Sequence, residues 1–166
     1  SSKDVVSDIF YFTAYAHWDP AKKARHQLLV RAAQMKGIQV VFGKFKLRNK
    51  QCRLCNKTYQ TFEEKQTDVN ISVKLFQCAY NDTFDTAMIV TGDSDIVPAI
   101  RSVKESFPAK KIGVVIPIGR TAEEMKQACD FHMKMKERHL ATSQFPDSIV
   151  LDPAKNIYLT RPPGWK

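Results

Sequence analysis

The sequence predicts an α/β domain built on a mostly parallel sheet. Short apolar runs alternate with amphipathic helical segments, and the helical segments carry recognisable cap residues. Two of the apolar runs, TAMIV at 86–90 and IGVVI at 112–116, also lack the alternation of a strand with one wet face. Continuous apolar strands are those covered on both faces, and strands alternating with helices are joined by crossovers that run them parallel. Ligands of such sheets sit beyond the carboxyl ends of the strands.

Taken in order, Ile9–Ala16 (IFYFTAYA) reads as an aromatic-rich strand. Asp19-Pro20 opens a helix, with aspartate as N-cap and proline at the first helical position. Ala24, Leu28, Ala32 and Met35 share its apolar face, Lys22, Lys23, Arg25, Arg31 and Lys36 make the other faces basic, and Gly37 closes it. Ile38–Phe42 is a short strand. Residues 43–66 show no clean period and read as an insertion containing Cys52-x-x-Cys55. A helix follows from about Thr67, with Val69, Val73, Phe76 and Tyr80 expected to be buried.

After TAMIV comes the turn Thr91-Gly-Asp-Ser-Asp95, then a helix with Ile96, Ile100, Val103 and Phe107 inward and Pro98 tolerated in its first turn. Asp95 suits the N-cap of that helix. Thr121-Ala-Glu-Glu124 reads as a capping box opening a helix that runs towards Leu140. The remainder, from about residue 141, is a C-terminal extension with one short strand at Ile157–Leu159. The length of 166 residues fits one domain that needs no disulfides to hold a core.

The net charge of +9 favours a polyanionic partner, nucleic acid foremost. No apolar run is long enough to span a membrane, and the polar start Ser1–Asp8 lacks the apolar core of a signal peptide. The Cys total of 4, scattered as Cys52, Cys55, Cys78 and Cys129, fits reduced thiols and a cytoplasmic location. Cys78 and Cys129 fall in helical patterns and are expected to be buried.

Asp93 and Asp95 stand one residue apart at the carboxyl end of a strand, where Gly92 permits a tight backbone. Carboxylates this close repel each other, and a hard divalent cation, Mg2+ or Mn2+, relieves the repulsion. Asp68 opens another helix and can add a third carboxylate if that helix end faces the same cleft. The competing reading is structural, because Asp68 and Asp95 both suit helix N-termini.

The ordered motifs Glu63-Glu-Lys-Gln-Thr-Asp68-Val-Asn70, Ala79-Tyr-Asn-Asp-Thr-Phe-Asp85-Thr-Ala and Val90-Thr-Gly-Asp93-Ser-Asp95, with Pro98 beyond, resemble the NYN domain family, which is similar to the PIN and LabA-like ribonucleases. The tail residues SQFPDSIV and RPPGW are similar to those of bacterial members. The resemblance implies a three-layer, Rossmann-like PIN/NYN fold with a mostly parallel central sheet. It also implies hydrolysis of RNA with Mg2+ or Mn2+ at Asp68, Asp93 and Asp95. Asn70, Ser94 and Lys65 would then contact substrate or support the ligands, and Lys44, Lys46 and Arg48 would hold the phosphate backbone together with Lys22, Lys23, Arg25 and Lys50. Members open with a strand carrying Asp-x-x-Asn, which nothing in Ser1–Asp8 matches. The sequence is therefore expected to lack the first strand of the natural protein.

No histidine is needed as a base, so His17, His26, His132 and His139 read as structural or surface groups. Trp18, Tyr59 and Phe62 are expected in the core rather than stacked on bases. Cys52-Arg-Leu-Cys55 looks like half a zinc knuckle, whose remaining ligands would come from a histidine, a second protomer or the missing N-terminal region. The leading expectation is a metal-dependent endoribonuclease, RNA being favoured over DNA, with a homodimer allowed. The rivals are a catalytically inactive RNA-binding or regulatory module, a phosphomonoesterase or nucleotide hydrolase, and a flap-type DNA nuclease.

Overall fold

The structure, a computed structural model, describes residues 4–152 and 154–165. Ser1–Lys3 of the polar start, Pro153 and Lys166 of the tail lie outside the described residues. The chain is α/β and divides into two compact units. One, the hairpin unit, comprises Asp8–Thr67 and the C-terminal residues from Phe145; the other, the sheet unit, comprises Asp68–Gln144 with the N-terminal residues up to Ser7.

The hairpin unit begins with β1 (Phe10–Thr13), α1 (Pro20–Met35) and β2 (Gln39–Phe42), a βαβ unit with its strands parallel from Phe10↔Gln39 to Thr13↔Phe42. The first strand is shorter than IFYFTAYA suggests, because β2 ends at Phe42 and Gly43 N closes the ladder on Thr13 O at 2.8 Å. Helix α1 starts as expected: the Asp19 carboxylate accepts from Lys22 N at 2.8 Å and Pro20 follows it. It ends at Gly37, whose φ of +80° is left-handed.

The buried face of α1 differs from the expected one. Val30, Ala32 and Ala33 are buried, whereas Ala24 and Met35 are exposed. His26, half-buried and hydrogen-bonded to Thr13 Oγ1 at 3.0 Å and Tyr11 Oη at 3.3 Å, anchors the helix to β1 in this rotation.

Residues 43–66 are not irregular. They form an antiparallel hairpin, β3 (Lys44–Gln51) and β4 (Thr58–Lys65), paired from Lys44↔Lys65 to Gln51↔Thr58. Most of it is solvated on both faces, so the sequence carries no alternating apolar pattern to mark it. A Cβ on Gly43 would lie 2.7 Å from Thr67 Oγ1 and 2.8 Å from Lys65 O, so glycine lets the hairpin base close on the residues that open the next helix.

The sheet unit holds α2 (Thr67–Tyr80, which begins at the junction), β5 (Thr86–Val90), a single 3-10 turn at Ser94–Ile96, α3 (Val97–Ser106), β6 (Lys111–Ile116), α4 (Glu123–Ala128), β7 (Phe131–Lys134) and α5 (Glu137–Thr142). Strands β5, β6 and β7 form a parallel sheet in that order. Ile112, Val114 and Ile116 of β6 pack with Leu75 and Ala79 of α2, with Ile100 and Val103 of α3, and with Met125 of α4 in one core.

Four expectations fail here. Of the stripe Val69, Val73, Phe76 and Tyr80, Val69, Val73 and Tyr80 face solvent, with Val69 62% and Tyr80 74% exposed, and Phe76 meets Phe107 edge-on at 5.4 Å at the rim; Leu75 and Ala79, with Ile71 beside them, are the core face of α2. Strand β5 is not covered on both faces: Met88 and Val90 are exposed, and among the described residues β5 pairs only with β6.

The helix expected to reach Leu140 stops at Ala128. There Asp130 takes over: its carboxylate accepts from Ile112 N at 2.8 Å and pairs with Lys104 Nζ at 3.0 Å, and its own N–H donates to Ile112 O at 2.8 Å. These bonds pull the chain into β7. The N-cap of α4 is Ala122 with no side-chain cap bond, so Thr121 does not form the expected capping box.

The chain then returns to the hairpin unit as a second antiparallel pair, β8 (Ser148–Asp152) and β9 (Ile157–Thr160). Only β9 was expected from sequence. Ile149 and Leu159 bury against Ala32 of α1.

Candidate metal centre

The parallel sheet delivers Asp93 and Asp95 as sequence patterning suggests. Thr91 N makes a closing backbone bond to Val115 O at 3.2 Å, and the chain turns away from β5 at Gly92. Thr91 Oγ1 accepts from Asp93 N at 3.1 Å, and Asp93 Oδ1 accepts from Asp95 N at 3.1 Å. Asp93, not Asp95, is thus the N-cap, and it caps the 3-10 turn that leads into α3. Ile96 and Val97, both 1% exposed, pin that turn into the core. Asp93 and Asp95 themselves remain exposed.

Asp68 lies in the first turn of α2. Asp68, Asp93 and Asp95 each offer a carboxylate oxygen, and these atoms lie within 4.8 Å of one another. Like charges so close repel, and the donor set is all hard oxygen, which suits Mg2+ or Mn2+. Folding therefore brings together side chains separated by more than twenty residues of sequence.

Sequence reasoning missed Arg120. After β6, Pro117 O accepts from Arg120 N at 3.2 Å across a turn containing Gly119 at φ +75°. This sets the Arg120 stem over Gly92: a Cβ on Gly92 would lie 3.0 Å from both Arg120 Cβ and Cγ. The stem of a cationic side chain therefore packs on the loop that carries Asp93. The available signal was Gly-Arg shortly after a buried strand, the rule already applied to Gly92.

The remaining site candidates fall as follows. Ser94 is exposed between the two aspartates, and Asn70 is half-buried in the first turn of α2. In the hairpin unit, Lys44, Lys46, Arg48 and Lys50 occupy alternate positions of β3 and so share one face. Glu63 crosses that face, pairing with Lys50 at 2.8 Å, Lys65 at 3.1 Å and Arg48 at 3.7 Å. Hydrogen bonds from Lys50 and Lys65 lower Glu63 to about 2, and Glu63 in turn raises Lys50.

Trp18, Phe62 and Tyr59, expected in the core, are exposed. Trp18 stacks on Phe62 at 3.7 Å and meets Phe45 edge-on at 4.8 Å. His26 is structural: burial chiefly lowers its pKa. Cys129 is buried, which raises its thiol, and Cys78 is half-buried.

Cys52 and Cys55 sit in the turn of the first hairpin. Cys52 N donates to Lys57 O at 2.9 Å, Asn56 N donates to Cys52 O at 2.9 Å, and Asn56 adopts φ +55°. Backbone N–H bonds from Cys55 and Leu54, with a thiol contact to Cys55, lower the Cys52 thiol.

The NYN domain family model matches residues 5–136. The chain belongs to the NYN domain family. That family has a nuclease-type fold, and divalent metals are usual in it. This NYN domain is 40% identical over 55 residues to 6-hydroxy-3-succinoylpyridine 3-monooxygenase HspA of Pseudomonas putida. That stretch is 33% of this chain, and the chain spans 17% of the length of that curated relative. The crystal structure of a protein of unknown function from Vibrio parahaemolyticus aligns with a TM-score of 0.52 at 18% identity, over 78% of this chain and 69% of the other. That likeness is one of fold. Among the described residues, no helix of the NYN domain is long and apolar enough to cross a membrane.

Proposed function

We propose that this NYN domain is a Mg2+- or Mn2+-dependent nuclease that hydrolyses phosphodiester bonds, with RNA as its substrate. The observation that carries the reading is the convergence of Asp68, Asp93 and Asp95 to within 4.8 Å. These carboxylates would hold the ion. A bound divalent ion supplies a water of lowered pKa and neutralises charge on the scissile phosphate. Asp93 keeps its own turn in shape by accepting from Asp95 N.

Arg120, whose stem lies over Gly92, would offer its guanidinium to a phosphate oxygen. Lys44, Lys46, Arg48 and Lys50 would present one basic face to a nucleic-acid backbone, on which Glu63 engages Lys50, Lys65 and Arg48. Ser94, exposed between the two aspartates, and Asn70, in the first turn of α2, would touch substrate or steady the ligands. The three-layer, Rossmann-like arrangement of the PIN class belongs to the same proposal, supported by the parallel pairs β1–β2 and β5–β6–β7. A cytoplasmic location fits the free thiols.

The basic hairpin face also suits an RNA-binding module without catalysis. One experiment separates the readings. Labelled single-stranded RNA, single-stranded DNA and a simple phosphate ester are incubated with the protein in Mn2+ or EDTA. RNA cleavage that requires Mn2+ and is lost in Asp93→Asn supports the nuclease. Asparagine still caps the turn, so the variant keeps its fold. RNA binding with no cleavage in any metal favours the non-catalytic module, and full activity in Asp93→Asn rejects the site.

A further inference from the structure

The hairpin β3–β4 carries its two thiols in an exposed turn, with Leu54 between them 97% exposed. Cys52 N donates to Lys57 O and Asn56 N to Cys52 O, both at 2.9 Å, and Asn56 at φ +55° closes the turn, so both cysteines flank one tight loop. A tight turn that carries two thiols three residues apart, and in which backbone N–H groups of Cys55 and Leu54 lower the Cys52 thiol, suits a soft cation. Zinc takes such ligands tetrahedrally, at about 2.3 Å per sulfur. A structural zinc site needs four protein ligands, and one turn supplies two. Among the described residues, Asp68, Asp93 and Asp95 are the only group of three or more metal-ligating side chains, so none of those residues joins Cys52 and Cys55 as a third ligand.

We propose that Cys52 and Cys55 form half of a zinc site that is completed by the same two cysteines of a second copy of this chain. The two turns meet about a two-fold axis, which makes the interface self-complementary and the coordination shell closed. Four thiols bind one Zn2+ and release their protons, leaving a tetrathiolate centre of net charge about −2. Arg53 within each turn and Lys57 beside it place cations next to that charge. Leu54 of each copy loses its exposure in the contact.

The test uses the full chain, prepared without a histidine tag and kept reduced. Zinc content is measured by elemental analysis and mass by light scattering, before and after one equivalent of ZnCl2. The expected result is one zinc per two chains in a dimer, with acidification of an unbuffered solution on zinc addition. In Cys52→Ser and in Cys55→Ser the zinc and the dimer are lost together. Asp93→Asn keeps both, which separates this site from the acidic one. Replacing zinc with Co2+ should give thiolate-to-cobalt charge-transfer absorption in the dimer. A monomer at saturating zinc, one zinc per chain, or equal zinc binding by Cys52→Ser overturns the proposal.

Discussion

Gly113 stands in one row of the parallel sheet with Met88 on β5 and Phe131 on β7, and both neighbours fold over it. A Cβ there would sit 2.5 Å from Phe131 Cζ and 2.7 Å from Met88 Sδ. Gly113→Val should therefore lower stability by about 1–3 kcal/mol through overpacking, read as a fall in melting temperature. In the proposed site Arg120 acts on substrate instead. Arg120→Ala should raise KM for RNA about tenfold, leave Mn2+ affinity unchanged and leave the melting temperature in place; an unchanged KM would remove it from the site. The acids were legible in sequence because they follow an apolar strand in a motif, and a helix start flags Asp68. Arg120 was not, because only the left-handed turn at Gly119 and the missing side chain of Gly92 bring it there.

Helix α2 shows what periodicity can and cannot decide. Its sequence carries two apolar stripes, Val69-Val73-Phe76-Tyr80 and Ile71-Leu75-Ala79, and both fit a helical repeat. The sheet takes the second, whose smaller Ala79 allows a close approach to the core at 2% exposure. Local sequence holds no information on that choice, since it depends on β6 and α3. Leu75→Ala should cost about 2–4 kcal/mol, whereas Val73→Ser, on the exposed stripe, should cost less than about 0.5 kcal/mol. Equal losses in thermal unfolding would mean that the solvent-facing stripe is packed in solution. The same limit explains the hairpin and the short α4. The first has no buried face to pattern, and the second is cut by Asp130, whose partners Ile112 and Lys104 lie distant in sequence.

Across the whole molecule, the excess of positive charge was plain from sequence, but its response to acid was not, because that depends on pairings formed only on folding. Asp130 is held below its ordinary 3.8 mainly by the bond from Ile112 N, and Asp82 and Glu123 are lowered by Lys110 and Lys126. A carboxylate with a depressed folded pKa stabilises the fold above its unfolded pKa, and the contribution is lost as pH falls through the folded value. His26 gives acid sensitivity in a higher window. Its pKa is lowered from 6.5 by burial, so the unfolded chain takes up a proton near 6.5 while the folded chain resists. Stability therefore drops as pH falls from 6.5 towards the folded value of His26 and then levels until the carboxylates titrate. Melting temperature recorded from about pH 8 to about pH 3 should show two descending steps. His26→Gln, which can still bond Thr13, should flatten the upper step and leave the lower one. A variant that keeps the upper step would place that proton on another group and break the link between His26 and the seating of α1 on β1.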